Sequence, residues 1–182
     1  MIKKICFVIL SRANYSSIKS VIKELKRNKK FKIFIVVGAS AIQDKYGNVA
    51  EIIKKDFKIG YFANMPVFSD DPMGMAQCVG NGLIELPNIF NKIKPDLVFT
   101  VGDRFETMST VLSAAYMNIK IAHTMGGEVS GTIDESIRHA ITKFAHLHFA
   151  ASDDARNRII KLGEIPENVF KVGCPRIDLV AE

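Results

Sequence analysis

No run of about 18 apolar residues, the length a membrane-crossing helix needs, occurs in this chain of 182 residues. Cysteine is scarce. Cys6, Cys78 and Cys174 form an odd, scattered set with neither a disulfide framework nor zinc-ligand spacing, which suits a reducing cytoplasm. Cys6 lies inside a strand pattern and is expected in the core. No G-x-G-x-x-G element follows the first strand, so a dinucleotide fingerprint is not supported. Internal repeats and low-complexity segments are absent. Lys3 and Lys4 precede an apolar stretch as a secretion signal would, but Arg12 and Asn14 follow too soon, and no small-residue cleavage site appears. No metal or redox cofactor is implied.

Acidic residues are sparse at the front. Residues 1–60 hold 14 Lys and Arg against 4 Asp and Glu, whereas residues 61–182 hold 11 against 15. The excess lies largely between Lys19 and Lys32. Aromatic residues are not interleaved there for base stacking, and no recognition motif is visible, so a solvated helix face is expected rather than a nucleic-acid patch.

What the chain does have is alternation. Lys3–Leu10 is a continuous apolar strand of the kind covered on both faces. Ile18, Val21, Ile22 and Leu25 mark an amphipathic helix after it. Lys32–Val37, Asp96–Val101, Ile119–His123, Leu147–Ala151 and Val169–Val172 read as further strands. Helices are expected around Val49–Lys55, from Met75 to Ile93 with a kink or break at Gly80, Gly82 and Pro87, through Met108–Tyr116, from about Thr132, and from a Ser152 cap to Gly163. Tyr61–Pro72 reads as an irregular loop. Repeated β–α units without a long linker indicate an α/β fold built on one doubly wound parallel sheet.

Three strand-to-helix turns concentrate polar chemistry. Ser11-Arg-Ala-Asn-Tyr-Ser-Ser17 follows the first strand. Gly102-Asp-Arg-Phe-Glu106 follows Asp96–Val101, at the strand end where open α/β sheets hold ligands. Arg104 offers a planar fork suited to phosphate, although Asp103 could equally be a helix cap beside a surface arginine. The richest turn is His123-Thr-Met-Gly-Gly-Glu-Val-Ser-Gly-Thr-Ile-Asp-Glu135. Its glycines, Gly126 and Gly127 first, allow backbone N–H groups close to a ligand, and the following helix N-terminus favours anions. Thr132 and Glu135 fit a capping box. The plainer alternative is that the glycines only make turns and Asp134 and Glu135 only complement the helix dipole.

These motifs resemble the hydrolysing UDP-N-acetylglucosamine 2-epimerases of sialic and related nonulosonic acid pathways. The resemblance is carried by residues 11–16, Tyr-Gly-Asn (46–48), Gly-Asp-Arg-Phe-Glu (102–106), Gly-Gly-Glu-Val-Ser-Gly-Thr-Ile-Asp (126–134), Ile-Arg-His-Ala-Ile-Thr-Lys (137–143) and Val-Gly-Cys-Pro (172–175), in order over nearly the whole chain. It implies a Rossmann-like N-terminal half of a glycosyltransferase-B type architecture. Residues 1–175 would form the domain, and 176–182 would begin the crossover to a C-terminal half. The implied substrate is a UDP-sugar. No nucleic acid or membrane partner is implied; self-association into a homo-oligomer, or a separate C-terminal half, would be in keeping.

The implied reaction expels UDP from C1 and a proton from C2, then adds water to the glycal, leaving a free sugar inverted at C2. By resemblance, Asp103 and Asp134 match catalytic carboxylates, as proton acceptor and as general acid or cation stabiliser, with the two roles exchangeable. Arg12, Ser16 and Arg104 match UDP contacts. Glu128, Arg138 and His139 fall in the matching segment in support roles, Glu128 as a further catalytic carboxylate that could take over for the glutamate missing at 125 and Arg138 and His139 as substrate contacts, and His139 reads equally as a helix-face histidine with a local hydrogen bond. Three positions depart from the family pattern: Met125 stands where sialic-pathway members carry a glutamate, Asn14 replaces an aspartate, and Ala41 falls where many members have a histidine. A nucleotide-sugar-binding domain without turnover and a glycosyltransferase half-domain stand as alternatives, and a diacetamido-trideoxy sugar is compatible with the departures.

Overall fold

The computed structural model describes residues 2–177, so residues 178–182, most of the expected crossover segment, lie outside the described residues. Seven strands, β1 (Lys3–Ile9), β2 (Phe31–Gly38), β3 (Tyr61–Ala63), β4 (Leu97–Val101), β5 (Lys120–Thr124), β6 (Leu147–Ala150) and β7 (Val169–Lys171), make one sheet. Between them run α1 (Arg12–Arg27), α2 (Val49–Asp56), α3 (Pro72–Ile93), α4 (Thr107–Tyr116), α5 (Ile133–Phe144) and α6 (Asp153–Lys161). The strand order is β3-β2-β1-β4-β5-β6-β7, and every pairing is parallel. The chain first winds outward from β1 to β3, then returns beside β1 as β4 and winds the other way. The crevice between the carboxyl ends of β1 and β4 is therefore the switch point of the sheet.

Both faces of the central strands are buried, which is why Lys3–Leu10 reads as unbroken apolar sequence. Alternate residues Cys6, Val8 and Leu10 pack with Leu86, Phe90 and Ile93 of α3, Val111 of α4 and Ile141 of α5. Ile5, Phe7 and Ile9 pack on the opposite face with Ile18 and Ile22 of α1 and Ile53 of α2. Each such fully buried side chain contributes roughly 1.5–3 kcal/mol. Phe7, Phe99, Phe149 and Phe170 stack in series across this second face, with ring centroids 5.0, 5.7 and 5.8 Å apart.

Several local expectations change. Tyr61–Ala63 is not loop but a short edge strand, in register with Val36–Gly38. The helix through Gly80, Gly82 and Pro87 is continuous over 22 residues. Gly82 serves packing instead: a Cβ there would stand 2.4 Å from Ser109 Oγ, so its absence lets α3 and α4 approach. The capping box does not form. Thr132 makes no side-chain cap hydrogen bond, and Glu135 reaches further back to accept the N–H groups of Ser130 and Gly131, each at 2.7 Å. The basic front half sits on the outside of α1 and beyond. Lys19 pairs with Asp56 at 2.7 Å, Arg27 with Glu24, and Lys26 lies over the Phe57 ring.

Candidate functional site

Just beyond β1, the buried Ser11 caps α1, its Oγ accepting from Asn14 N–H at 3.2 Å. Asn14 then joins the two sides of the switch point. Its Oδ1 accepts from Leu10 N–H at 3.1 Å, and its Nδ2 donates to the Val101 carbonyl at the end of β4 at 3.2 Å. Arg12, exposed on the first turn of α1, lines a cavity of about 490 Å³ with Ser40, Tyr46, Asp70 and Arg104. Ser16 donates to Ala13 O at 3.0 Å and lines none of the cavities at this rim, whereas its neighbour Ser17 does.

At the end of β4, Gly102 turns the chain with a φ of 70°. Its N–H donates to Thr124 O at 3.1 Å, and its carbonyl lies 2.8 Å from Nε2 of the fully buried His123. Burial lowers the His123 pKa to about 4, so at neutral pH the ring is uncharged, and Nε2 must carry the proton that Gly102 accepts. The turn fixed in this way aims Asp103 at Arg138 of α5, with which it forms an ion pair. The Arg138 side chain is 7% exposed and that of Asp103 25%. A second Arg138 nitrogen, Nη1, donates to Glu128 O at 2.7 Å. Asp103, Arg138, Glu128, Asn14, Met125 and Arg176 thus border one small cavity of about 80 Å³.

Asp134 lies one helical turn before Arg138, on a neighbouring cavity of about 640 Å³ whose remaining wall includes Met75, Phe105, Met108, Ile133 and Ile137. The two candidate carboxylates therefore share the rim but border different hollows. Arg104 belongs to all three cavities and separates them. Its Nε donates to Glu106 Oε1 at 2.7 Å, and its guanidinium lies over the Phe105 ring. Glu106 is fully buried. Burial pushes its carboxyl up, and the charge and hydrogen bond of Arg104 offset part of that rise.

The glycine pair has protein, not open space, against it. A Cβ at Gly127, where φ is 78°, would meet the Ala155 carbonyl of α6 at 2.3 Å, and one at Gly126 would meet the His123 ring at 2.9 Å. The Gly127 carbonyl accepts from Arg158. His139 borders none of the three cavities; its Nε2 lies 3.9 Å from Glu135 Oε1, one turn earlier on α5. The fold thus brings Arg12, Arg104, Asp103, Glu128, Asp134 and Arg138 to one rim, and leaves Ser16, Gly126, Gly127 and His139 off its cavities. Glu106 and Arg176 were not anticipated. An acid at a helix start reads as an ordinary dipole complement, and Arg176 comes close only because the last described turn folds back, its Nε donating to Ser17 Oγ at 2.9 Å. Among the described residues, no group of three or more His, Cys, Asp or Glu could hold a metal ion. Nor, among them, is any helix long and apolar enough to cross a membrane.

A doubly wound parallel sheet with an arginine- and carboxylate-lined rim at its switch point defines a Rossmann-like domain of the kind that forms half of a glycosyltransferase-B type fold. It superposes, with a TM-score of 0.86 at 20% identity, on the crystal structure of UDP-GlcNAc 2-epimerase from Neisseria meningitidis bound to UDP-GlcNAc, covering 98% of this chain and 48% of that one. A lipopolysaccharide outer core galactosyltransferase shares the fold more distantly, at TM-score 0.58 and 15% identity over 93% of this chain and 45% of that one. Residues 23–182 match the UDP-N-acetylglucosamine 2-epimerase family, and the chain belongs to that family. A UDP-N,N'-diacetylbacillosamine 2-epimerase (hydrolyzing) from Legionella pneumophila is 35% identical over 183 residues, covering 100% of this chain and 48% of that relative. The chain spans about half the length of the curated relatives it matches over most of its own length.

Proposed function

We propose that the chain is the N-terminal half of a hydrolysing 2-epimerase that converts a UDP-N-acetylhexosamine and water into UDP and a free sugar inverted at C2. The observation that carries the reading is the place of Arg104, which walls both the hollow that Asp103 borders and the neighbouring one that Asp134 borders. The C2 proton is not acidic while C1 is a saturated acetal carbon. It becomes so as the C1–O bond to the diphosphate breaks and C1 gains oxocarbenium character. One carboxylate stabilises that cation and the other takes the proton, forming the C1–C2 double bond of a glycal. Water then adds at C1 and a proton returns to the opposite face of C2. Arg104 and Arg12 supply charge for the departing diphosphate. Arg138 and Glu128 border Asp103 and fit support roles. A second α/β half would close the crevice from the other side, with the crossover beginning near residue 176.

The test is NMR of the released sugar and UDP from the complete protein that contains this chain. Asp103→Asn is expected to lower turnover by about 10²–10⁴ with the fold retained; near-normal turnover in that variant removes Asp103 from the chemistry.

A second reading, nucleotide-sugar binding without turnover, is favoured by Met125, an uncharged side chain on the same cavity as Asp103. Methionine neither exchanges a proton nor stabilises a cation through charge. Met125→Glu separates the two. Gain of activity on UDP-GlcNAc means the methionine is a loss. No gain, with wild-type turnover on a diacetamido sugar of the kind named for the Legionella relative, means the cavity is built for a different substrate.

A further inference from the structure

We propose that Glu106 is a positioning residue, whose buried carboxylate holds the Arg104 guanidinium by its Nε and so presents the other two nitrogens to the crevice. The inference rests on the reading of Arg104 as a diphosphate contact. Glu106 is 0% exposed, and only one of its oxygens is bonded by a side chain, by Arg104 Nε at 2.7 Å. The other, Oε2, is buried with no partner among the described residues. A half-satisfied buried carboxylate is costly, and packing gives no reason for it, since an apolar side chain of similar volume would fill the same space. The cost is explained if the carboxylate is there for Arg104. Arg104 bonds no other described residue through Nη1 or Nη2, and it walls all three cavities. Without a hold on Nε, a long side chain that is 42% exposed would sample many rotamers, and each phosphate contact would have to order it afresh. Its own turn contributes Phe105, over whose ring the guanidinium lies. The ionisable groups that face Glu106 are Arg104 on the same turn, Cys78 from α3 and Asp134 from α5.

The experiment is steady-state kinetics across pH on the complete protein, with Glu106→Gln, Glu106→Asp, Arg104→Ala and the Gln/Ala double variant. Glutamine keeps the volume but removes the charge. KM for the UDP-sugar is expected to rise roughly tenfold, with kcat changed less. Wild-type KM should climb as pH falls, because protonating Glu106 releases Arg104, and that climb should vanish in Glu106→Gln. In the Arg104→Ala background, Glu106→Gln should add nothing. Glu106→Asp keeps the charge with a shorter reach, so its KM should rise less and the climb at low pH should persist; this variant carries the test if Glu106→Gln does not fold. A KM within twofold of wild type in Glu106→Gln, a retained climb in that variant, or additive effects in the double variant overturns the inference; if only Glu106→Asp folds, loss of the climb at low pH overturns it. Absence of turnover in the wild-type protein overturns the functional reading and this inference with it, and so is distinguishable from failure of the inference alone.

Discussion

Asn14 uses its amide from both ends, accepting from Leu10 N–H and donating to the Val101 carbonyl. A carboxylate can do the first and not the second, because it would set oxygen against oxygen. Asn14→Asp is therefore expected to destabilise the fold by about 1–3 kcal/mol, the cost of leaving a buried carbonyl unpaired; a urea midpoint equal to wild type would show that Val101 O does not depend on the amide. Sequence alone marked Asn14 only as a departure from a family pattern. The bridge could not be read there, because its partner lies 87 residues away across the switch point. Asp103 and Arg104 were legible for the opposite reason: the end of a predicted parallel strand already fixes where the next two side chains emerge. Which of two neighbouring hollows Asp134 faces depends on the packing of α3 against α4 and α5, and no periodicity encodes that.

At the scale of elements, the covered strands and amphipathic helices followed from their apolar spacing. The glycines were harder. Gly126 and Gly127 look like a ligand loop in sequence, yet their nearest neighbours are the His123 ring and the Ala155 carbonyl of α6. Close approach of two protein elements and close approach of a ligand leave the same signature, a missing Cβ. Gly127→Ala combines a clash with backbone, at 2.3 Å from Ala155 O, with a left-handed φ of 78°. It is expected to cost about 2–4 kcal/mol, measured by chemical denaturation, and to displace the start of α6 from the β5–α5 turn. A loss below 0.5 kcal/mol would mean that α6 yields easily. The Thr132–Glu135 pattern misled because a glutamate at that spacing can reach either the cap residue or the two N–H groups before it, and Gly131, with its φ of 70°, turns those N–H groups toward it.

For the whole molecule, the buried histidine sets a pH dependence. The His123 pKa is held at about 4 in the fold, below the ordinary histidine value of 6.5, because burial disfavours its charged form. The folded value is the lower one. As pH falls through 6.5 the unfolded chain takes up a proton that the native state refuses until about 4. Stability is then complete above the upper value and declines toward the lower, by about 3 kcal/mol in total. His148, whose pKa burial also lowers, acts in the same direction. Urea unfolding at a series of pH values between 7 and 4 should show this decline, and His123→Gln, which can still donate to Gly102 O, should flatten it. A wild-type profile without slope in that interval would mean that His123 is not held neutral.

The stacked phenylalanines on one face tie the strands crosswise as well as lengthwise. Hydrogen bonds alone resist pulling neighbouring strands apart but yield more readily to sliding; rings wedged between β1, β4, β6 and β7 oppose the sliding. The strand tips that carry the rim should thus keep their spacing whatever arrives above them. Amide exchange in β4 and β5 should proceed only through global opening, and any adjustment to a visitor must come from turns and side chains, with the sheet beneath acting as a fixed floor.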